Sequence, residues 1–335
     1  MKKSFLGAFV IATIAGLTLA GCGSDPLGKD AGSGTEGSPS NGALTPISVV
    51  VAPIQFESAY IAEREGFFEE EGLDVEIVRG ADPTSNIARV VSGEVDITTG
   101  SLGTLITAAA AGVPVVAIAG NGYTSAETAT SGIISLAASD IKTPADLAGK
   151  KVGIQGLNTG SEIPMFLAAE AFDIDPLSIE RVELASPGME TALLEGTIDA
   201  VLASAPFYGQ LMKREDVHLV SNPSTEYMAG TPVTMWTVTE QWADQNAETA
   251  EAFVRAMQKA EAYYVDPANT ESILDITAEV SDVDRATLTA AALIPVSVAI
   301  DKAQAAVQAD GFTTFGIVKS PVTIDQILWS GAPLR

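Results

Sequence analysis

Histidine and cysteine are almost missing from this chain: among 335 residues there is one of each, His218 and Cys22. A single cysteine excludes disulfides within the chain and thiolate zinc sites. It also excludes any Ser-His-Asp or Cys-His nucleophile needing a second histidine or a buried thiol. Basic side chains are scarce as well, 18 Lys and Arg against 43 Asp and Glu, for a formal net charge of −25. Such a chain is soluble and self-repelling, and charge gives it no affinity for nucleic acid or an anionic membrane surface. Long apolar runs are few. Phe5 to Ala20 is shorter than the ~20 residues of a spanning helix, and residues 105–119 are broken by Gly112 and Pro114. What remains is globular material, 47% hydrophobic and 18% charged, long enough for two domains.

The N-terminus reads as an address. Lys2 and Lys3 form a basic region, the apolar stretch to Ala20 follows, and Leu19-Ala20-Gly21-Cys22 closes it. That tetrapeptide resembles the bacterial lipobox, which implies a signal peptide over 1–21, cleavage before Cys22 and lipidation of its sulfur, with palmitate among the acyl chains. An ordinary signal peptide with a chance cysteine is the alternative. Two or more acyl chains hold a protein stably to a membrane. Residues 23–46 are Gly, Ser, Pro, Asp and Thr with hardly an apolar side chain, so 22–46 is expected to be a lipidated cysteine on a flexible tether.

The rest of the chain contains an internal repeat at an offset of 103 residues. Val49-Val50-Val51-Ala52 breaks at Pro53, and Val152-Gly153-Ile154 breaks at Gly156. Gly93-Glu94-Val95-Asp96-Ile97 returns as Gly196-Thr197-Ile198-Asp199-Ala200. The repeated Asp96 and Asp199 read as a structural turn feature, not as a catalytic pair. Apolar β-branched runs alternate with amphipathic helical stretches, which predicts parallel sheets with helices on their faces. Val217 to Val220 is expected to be a strand returning towards the first copy. After the strand Val233–Thr239 the chain is expected to be mostly helical, over 248–264, 270–280, 286–292 and 302–309.

Two stretches carry a family resemblance. Pro144-Ala145-Asp146-Leu147-Ala148-Gly149-Lys150-Lys151-Val152 resembles the Pro-x-Asp-Leu-x-Gly-Lys-Lys-Val segment of substrate-binding proteins of ABC importers. Gly66-Phe67-Phe68-Glu69-Glu70-Glu71-Gly72-Leu73-Asp74-Val75, with Gly93-Glu94-Val95-Asp96-Ile97, resembles the signature of the nitrate/sulfonate/taurine and thiamine-precursor (pyrimidine) binding family. The resemblance covers about 47–320. It implies an α/β, two-lobed periplasmic-binding-protein-like fold of type II, each lobe a mostly parallel sheet flanked by helices, with the ligand cleft between the lobes. Lobe I is expected over 47–140 plus 223–335, and lobe II over 141–222, with two crossing segments as the hinge.

Ligands of open α/β sheets sit beyond the C-terminal ends of the strands, at helix N-termini. That rule selects the turns 53–58, 99–102, 156–162, 186–189 and 203–206. The candidate ligand-binding residues are Gln55, Phe56, Glu57, Gly100, Ser101, Leu102, Tyr123, Asn158, Thr159, Gly160, Ser161, Gly188, Ser204 and Trp236. Ser and Thr at these turns fit helix caps equally, and Tyr123, Phe207, Tyr208 and Trp236 fit either stacking on a ring or the core. Glu57 either points to solvent or meets a donor group of the ligand. No Arg or Lys lies in the five turns, which favours a medium-sized, partly apolar organic ligand over a small hard anion.

The expected function is the solute-binding component of an ABC import system, a monomer lipid-anchored through Cys22 on the extracytoplasmic face of the cell membrane. It would capture a sulfonate, a pyrimidine or a similar molecule and deliver it to a permease and ATPase. No catalytic residue, metal or cofactor and no nucleic acid is expected. The alternatives are a ligand sensor that does not import, and an enzyme on the same fold. The enzyme is disfavoured because the resemblance implies that fungal pyrimidine-synthesising relatives use histidines and cysteines that the lobes lack.

Overall fold

Val49, Val50 and Val51 have no exposed surface, because the strand they form, β1 (Thr45–Val51), is covered on both faces. The computed structural model describes residues 43–335 except 53, 54, 81, 82, 158, 206, 282, 291 and 292. The expected signal peptide, Cys22, most of the tether and Asn158 lie outside the described residues.

From β1 the chain passes through α1 (Glu57–Arg64), α2 (Phe67–Glu70), β2 (Leu73–Arg79) and α3 (Pro83–Val91). It continues through β3 (Ile97–Ser101), α4 (Leu102–Ala110) and β4 (Val115–Gly120). The second run is β5 (Ser131–Leu136), β6 (Lys151–Ile154), α5 (Ile163–Ala171) and β7 (Glu180–Glu183). Then come α6 (Ser186–Leu194), β8 (Ala200–Ser204), α7 (Phe207–Leu211), β9 (Val217–Ser221) and α8 (Pro223–Tyr227). β10 (Thr234–Thr239) opens a largely helical end with α9 (Glu240–Gln245), α10 (Ala247–Val265), α11 (Thr270–Ser281) and α12 (Lys302–Thr314). The helix expected over 286–292 is, where described, a single 3-10 turn at Arg285–Thr287.

The strands form two five-stranded sheets, in the orders β2-β1-β3-β10-β4 and β7-β6-β8-β5-β9. In each, the fourth strand runs against its neighbours: β10 is antiparallel to β3 and β4, and β5 to β8 and β9. The reversed strand is the one the chain enters on crossing from the other sheet. Two expectations are corrected here. The expected lobe I over 47–140 includes residues 131–136, and the expected course of Val217–Val220 is towards that lobe, yet β5 pairs with β8 and with β9. The backbone of 121–130 is what crosses.

The repeat is exact in register. Val49 and Val50 face Ile97 and Thr98, and 103 residues later Val152 and Gly153 face Ala200 and Val201. Asp96 Oδ2 accepts the Ser48 N–H at 2.8 Å, and Asp199 Oδ2 accepts the Lys151 N–H at 2.8 Å. Each aspartate, the residue before its own strand, thus ties that strand's start to the neighbouring strand. Gly93 and Gly196, at φ of +74° and +70°, supply the left-handed residue that ends α3 and α6.

The two crossings pair with each other. Thr124 N–H donates to Thr231 O at 2.9 Å, Gly230 N–H to Thr124 O at 2.8 Å and Val233 N–H to Gly122 O at 2.8 Å. A Cβ at Gly122 would stand 2.2 Å from Ile294 Cδ1 and 2.7 Å from Thr234 Oγ1, so any larger residue there would displace these side chains. The main core lies under the first sheet, where Trp236 packs edge-on against Phe56 at 5.1 Å and Phe253 at 5.3 Å. The second sheet is covered by separate clusters around Phe166 and Leu193. Among the described residues no helix is long and apolar enough to cross a membrane.

Asp96→Ala is expected to cost about 1–3 kcal/mol in urea unfolding, the cost of orphaning a partly buried donor. Asp199→Ala should cost less, because Asp96 also accepts from the Ser48 hydroxyl at 2.8 Å and the Trp242 indole at 3.1 Å. A larger loss for Asp199→Ala would refute the shared role.

Candidate ligand-binding cleft

Two helix starts, one over each sheet, meet across a gap. Ser101 ends β3 and caps α4: its hydroxyl accepts from Thr104 N–H at 3.1 Å, and Thr104 Oγ1 accepts from Ser101 N–H at 2.9 Å. That reciprocal box leaves the turn rigid. On the other side the Thr159 N–H donates to Glu162 Oε2 at 3.1 Å, and Thr159 Oγ1 donates to Gly156 O at 3.0 Å. Glu162 has no exposed surface. Its other oxygen accepts from Arg181 Nη1 at 2.9 Å, and the Arg181 guanidinium also lies 5.5 Å from the centre of the Phe166 ring. An arginine of β7 therefore holds the loop that faces the gap.

Between these starts lies a cavity of about 580 Å³, lined by Ser101, Thr104, Thr159, Gly160 and Ser161 together with Thr124, Thr231, Gln308 and Phe312. This falls within the size range of small-molecule pockets. A second cavity of about 270 Å³ shares Thr124, Ser224 and Val233 with the first and adds Gln55, Tyr123 and Ser204. A third of about 100 Å³ shares Ser161, Pro164 and Ser224 with the first. Among the described residues no charged side chain lines any of the three. Among the described residues no group of three or more His, Cys, Asp or Glu could hold a metal ion.

The cleft gathers seven of the residues singled out from sequence: Ser101, Thr159, Gly160 and Ser161 in the largest cavity, and Gln55, Tyr123 and Ser204 in the smaller ones. Gln55 sits at a left-handed φ of +66°, a conformation unfavourable for a side chain with a Cβ. Asn121 holds it there. Its Nδ2 donates to Gln55 O at 2.7 Å and to Thr234 Oγ1 at 3.0 Å, while Ser58 Oγ donates to its Oδ1 at 2.7 Å. The first turn, α1 and the crossing are thereby joined at one buried amide.

Six others do not line these cavities. Phe56, Leu102 and Trp236 are in the core, and Gly100 is enclosed by Leu105 and Thr237. Gly188 is exposed, with nothing within 4 Å of where a Cβ would stand. Glu57 faces neither solvent nor these cavities: it is 5% exposed, and Thr277 Oγ1 donates to it at 3.3 Å. Burial pushes its carboxyl above the usual glutamate range, opposed by backbone N–H groups and the Thr277 hydroxyl. Of the aromatic alternatives, Tyr208 donates to Asn222 Oδ1 at 2.9 Å and packs on the second sheet.

Sequence reasoning missed the third wall. Gln308 and Phe312 come from α12, and Thr231 and Ser224 from the returning crossing. The strand-end rule cannot find them, since none follows a strand of the repeat. Of the segment 121–131 the sequence singled out Tyr123 alone, and Thr124 was missed.

The NMT1/THI5 like family profile matches residues 54–270. The chain belongs to this family. Among family relatives it is similar to a formylaminopyrimidine-binding protein of Halalkalibacterium halodurans, 28% identical over 221 residues, which is 65% of this chain and 64% of that protein. It is also 28% identical over 210 residues to a 4-amino-5-hydroxymethyl-2-methylpyrimidine phosphate synthase of Legionella pneumophila, 61% of this chain and 63% of that one. The matches thus span somewhat less than two thirds of these relatives. In structure it is similar to the periplasmic aliphatic sulphonate binding protein SsuA of Escherichia coli, with a TM-score of 0.71, 17% identity, and coverage of 86% of this chain and 98% of the other. At that identity the likeness is one of fold: two helix-flanked sheets in the periplasmic-binding-protein arrangement, as the sequence led us to expect.

Arg181→Met would leave the Glu162 carboxylate buried without its cation, a change that costs about 3–5 kcal/mol in a fully buried pair. The arginine is 24% exposed, so the expected loss lies at or below the lower end. Adding Glu162→Gln should recover most of it in a double-mutant cycle by urea unfolding; additive losses would show that the pair does not act as a unit.

Proposed function

We propose that this protein is the solute-binding component of an ABC import system, capturing a small organic molecule in the cleft and presenting it to a membrane permease. One observation carries the reading: an uncharged cavity of about 580 Å³ lined from both sheets by Ser101 and Thr159–Ser161. The names of the relatives support it, since one binds a formylaminopyrimidine and the structural neighbour an aliphatic sulphonate. The protein would work without turnover, as a monomer.

In this reading the two lobes follow the sheets, 43–120 with 234–335 and 131–221, and the paired crossings are the hinge on which they close. Ser101, Thr159, Gly160 and Ser161 meet the ligand, with Gln55, Tyr123 and Ser204 beside an extension of the cavity. Hydroxyl and backbone groups without a fixed cation orient a polar organic molecule, whereas a hard anion gains most from a charged partner. The cleft therefore fits a pyrimidine better than nitrate. The lipobox-like Leu19-Ala20-Gly21-Cys22 supports anchoring on the extracytoplasmic face, with the tether over 22–46 allowing the lobes to reach a permease.

Isothermal titration of the purified protein with formylaminopyrimidine, an aliphatic sulfonate and nitrate is expected to show saturable one-to-one binding of an organic probe. Its affinity should exceed that for nitrate by about tenfold or more, a difference of about 1.4 kcal/mol. No binding by folded protein would overturn the proposal, and chemical conversion of a bound probe, seen by mass spectrometry, would favour the synthase-named relative instead. In cells fed an alkyne fatty acid, the wild type should take up label and Cys22→Ser should not; label on Cys22→Ser would refute anchoring at that residue.

A further inference from the structure

Helix α12 forms, with the crossings, the wall of the cleft that belongs to neither copy of the repeat, and it touches both copies. Gln304, Gln308 and Phe312 are spaced by four, so they share a face of the helix. At one end, Gln304 Cγ lies 3.4 Å from where a Cβ on Gly230 would stand, beside Thr231 of the crossing. At the other, the Phe312 ring lies 3.1 Å from such a position on Gly103 of α4 and 2.8 Å from that on Gly160. Glycine at both positions lets one ring seat against the helix starts of both lobes. The Gln308 amide nitrogen, one turn earlier, lies 2.9 Å from the same point on Gly160.

Two polar groups on this wall have no protein partner. The Gln308 side chain makes no hydrogen bond to another described residue, and among the described residues it is the one carboxamide lining the largest of these cavities. Thr231 lines the same cavity at 1% exposure, and its hydroxyl is buried without a partner. A buried hydroxyl left unpaired is costly, and native proteins rarely keep one without a reason. A ligand that supplies the missing partner gains from a desolvation the protein has already undergone, and a ligand that cannot supply it is rejected.

We infer that Gln308 and Thr231 are the specificity-determining residues of the cleft. Together they read a planar, uncharged group that carries a hydrogen-bond donor beside an acceptor, with the Phe312 ring as the apolar surface next to it. A carboxamide presents a donor and an acceptor side by side, so it matches such a group on both atoms and an acceptor-only sulfonate on one. The inference rests on the cleft being the ligand site, and it names residues that no strand-end argument selects.

The test uses the full chain and the pyrimidine and sulfonate probes of the titration above. Gln308→Leu and Thr231→Val are each expected to weaken the pyrimidine by about tenfold or more and the sulfonate by much less. The ratio of the two dissociation constants should therefore shift by about an order of magnitude, a readout that a purely structural role would not move. Gln308→Asn, which keeps the amide but shortens its reach, should also lose affinity and serves if the leucine variant unfolds. Asp310→Asn, exposed on the same helix, should change neither constant. An unchanged ratio in folded variants would overturn the inference and leave the binding function standing. So would a wild type that binds only the sulfonate. A wild type that binds neither probe would remove the cleft reading and this inference with it.

Discussion

The chain crosses between its sheets twice, and the two crossings pair with each other beside the cleft. Three backbone hydrogen bonds join residues 122–124 to 230–233, so the two segments form a short antiparallel ribbon and not two loose linkers. Each crossing then enters the other sheet as its reversed strand, β5 or β10. Neither sheet is complete without the strand that arrives from the other side. A two-point connection of this kind is the arrangement on which the proposed hinge closure rests.

Duplication explains what faces the gap. The same register, the same backbone-capping aspartate and the same left-handed glycine recur 103 residues apart, so each sheet presents equivalent turns. The copies have diverged in what those turns do. Glu57 occupies the place of Gly160 in the repeat, yet it is buried beneath its own helix, whereas Gly160 admits the Phe312 ring. At this position the first copy buries a side chain, and the second leaves room for a ring from α12.

Net charge and local field are decoupled. A chain with a formal charge of −25 has a cavity of about 580 Å³ whose described lining is hydroxyls, an amide and apolar groups. Its carboxylates are used elsewhere: Asp96 and Asp199 on strand starts, Glu162 on a cleft loop through Arg181, and Glu70 and Glu71 in ion pairs with α10. The acidity keeps the outside soluble, and the cleft answers to a different requirement, since a fixed charge there would demand a counter-charge on the ligand.

Much of this was legible in the sequence because periodicity and spacing are local. The β-branched run of β1, the 103-residue repeat, the stops at Gly93 and Gly196 and the structural role of Asp96 and Asp199 could all be read from residue order. The strand-end rule likewise led to Ser101, Thr159, Gly160, Ser161 and Ser204, since helix starts follow strands along the chain. Which side chains turn inward was decided only by packing: Phe56 and Trp236 meet each other and Phe253 in the core, and Glu57 finds Thr277 220 residues away. The membership of β5 and the approach of α12 were decided in the same way. Strand partners and a helix that touches both copies of the repeat depend on contacts between segments far apart in the chain, and local patterns carry no record of those contacts.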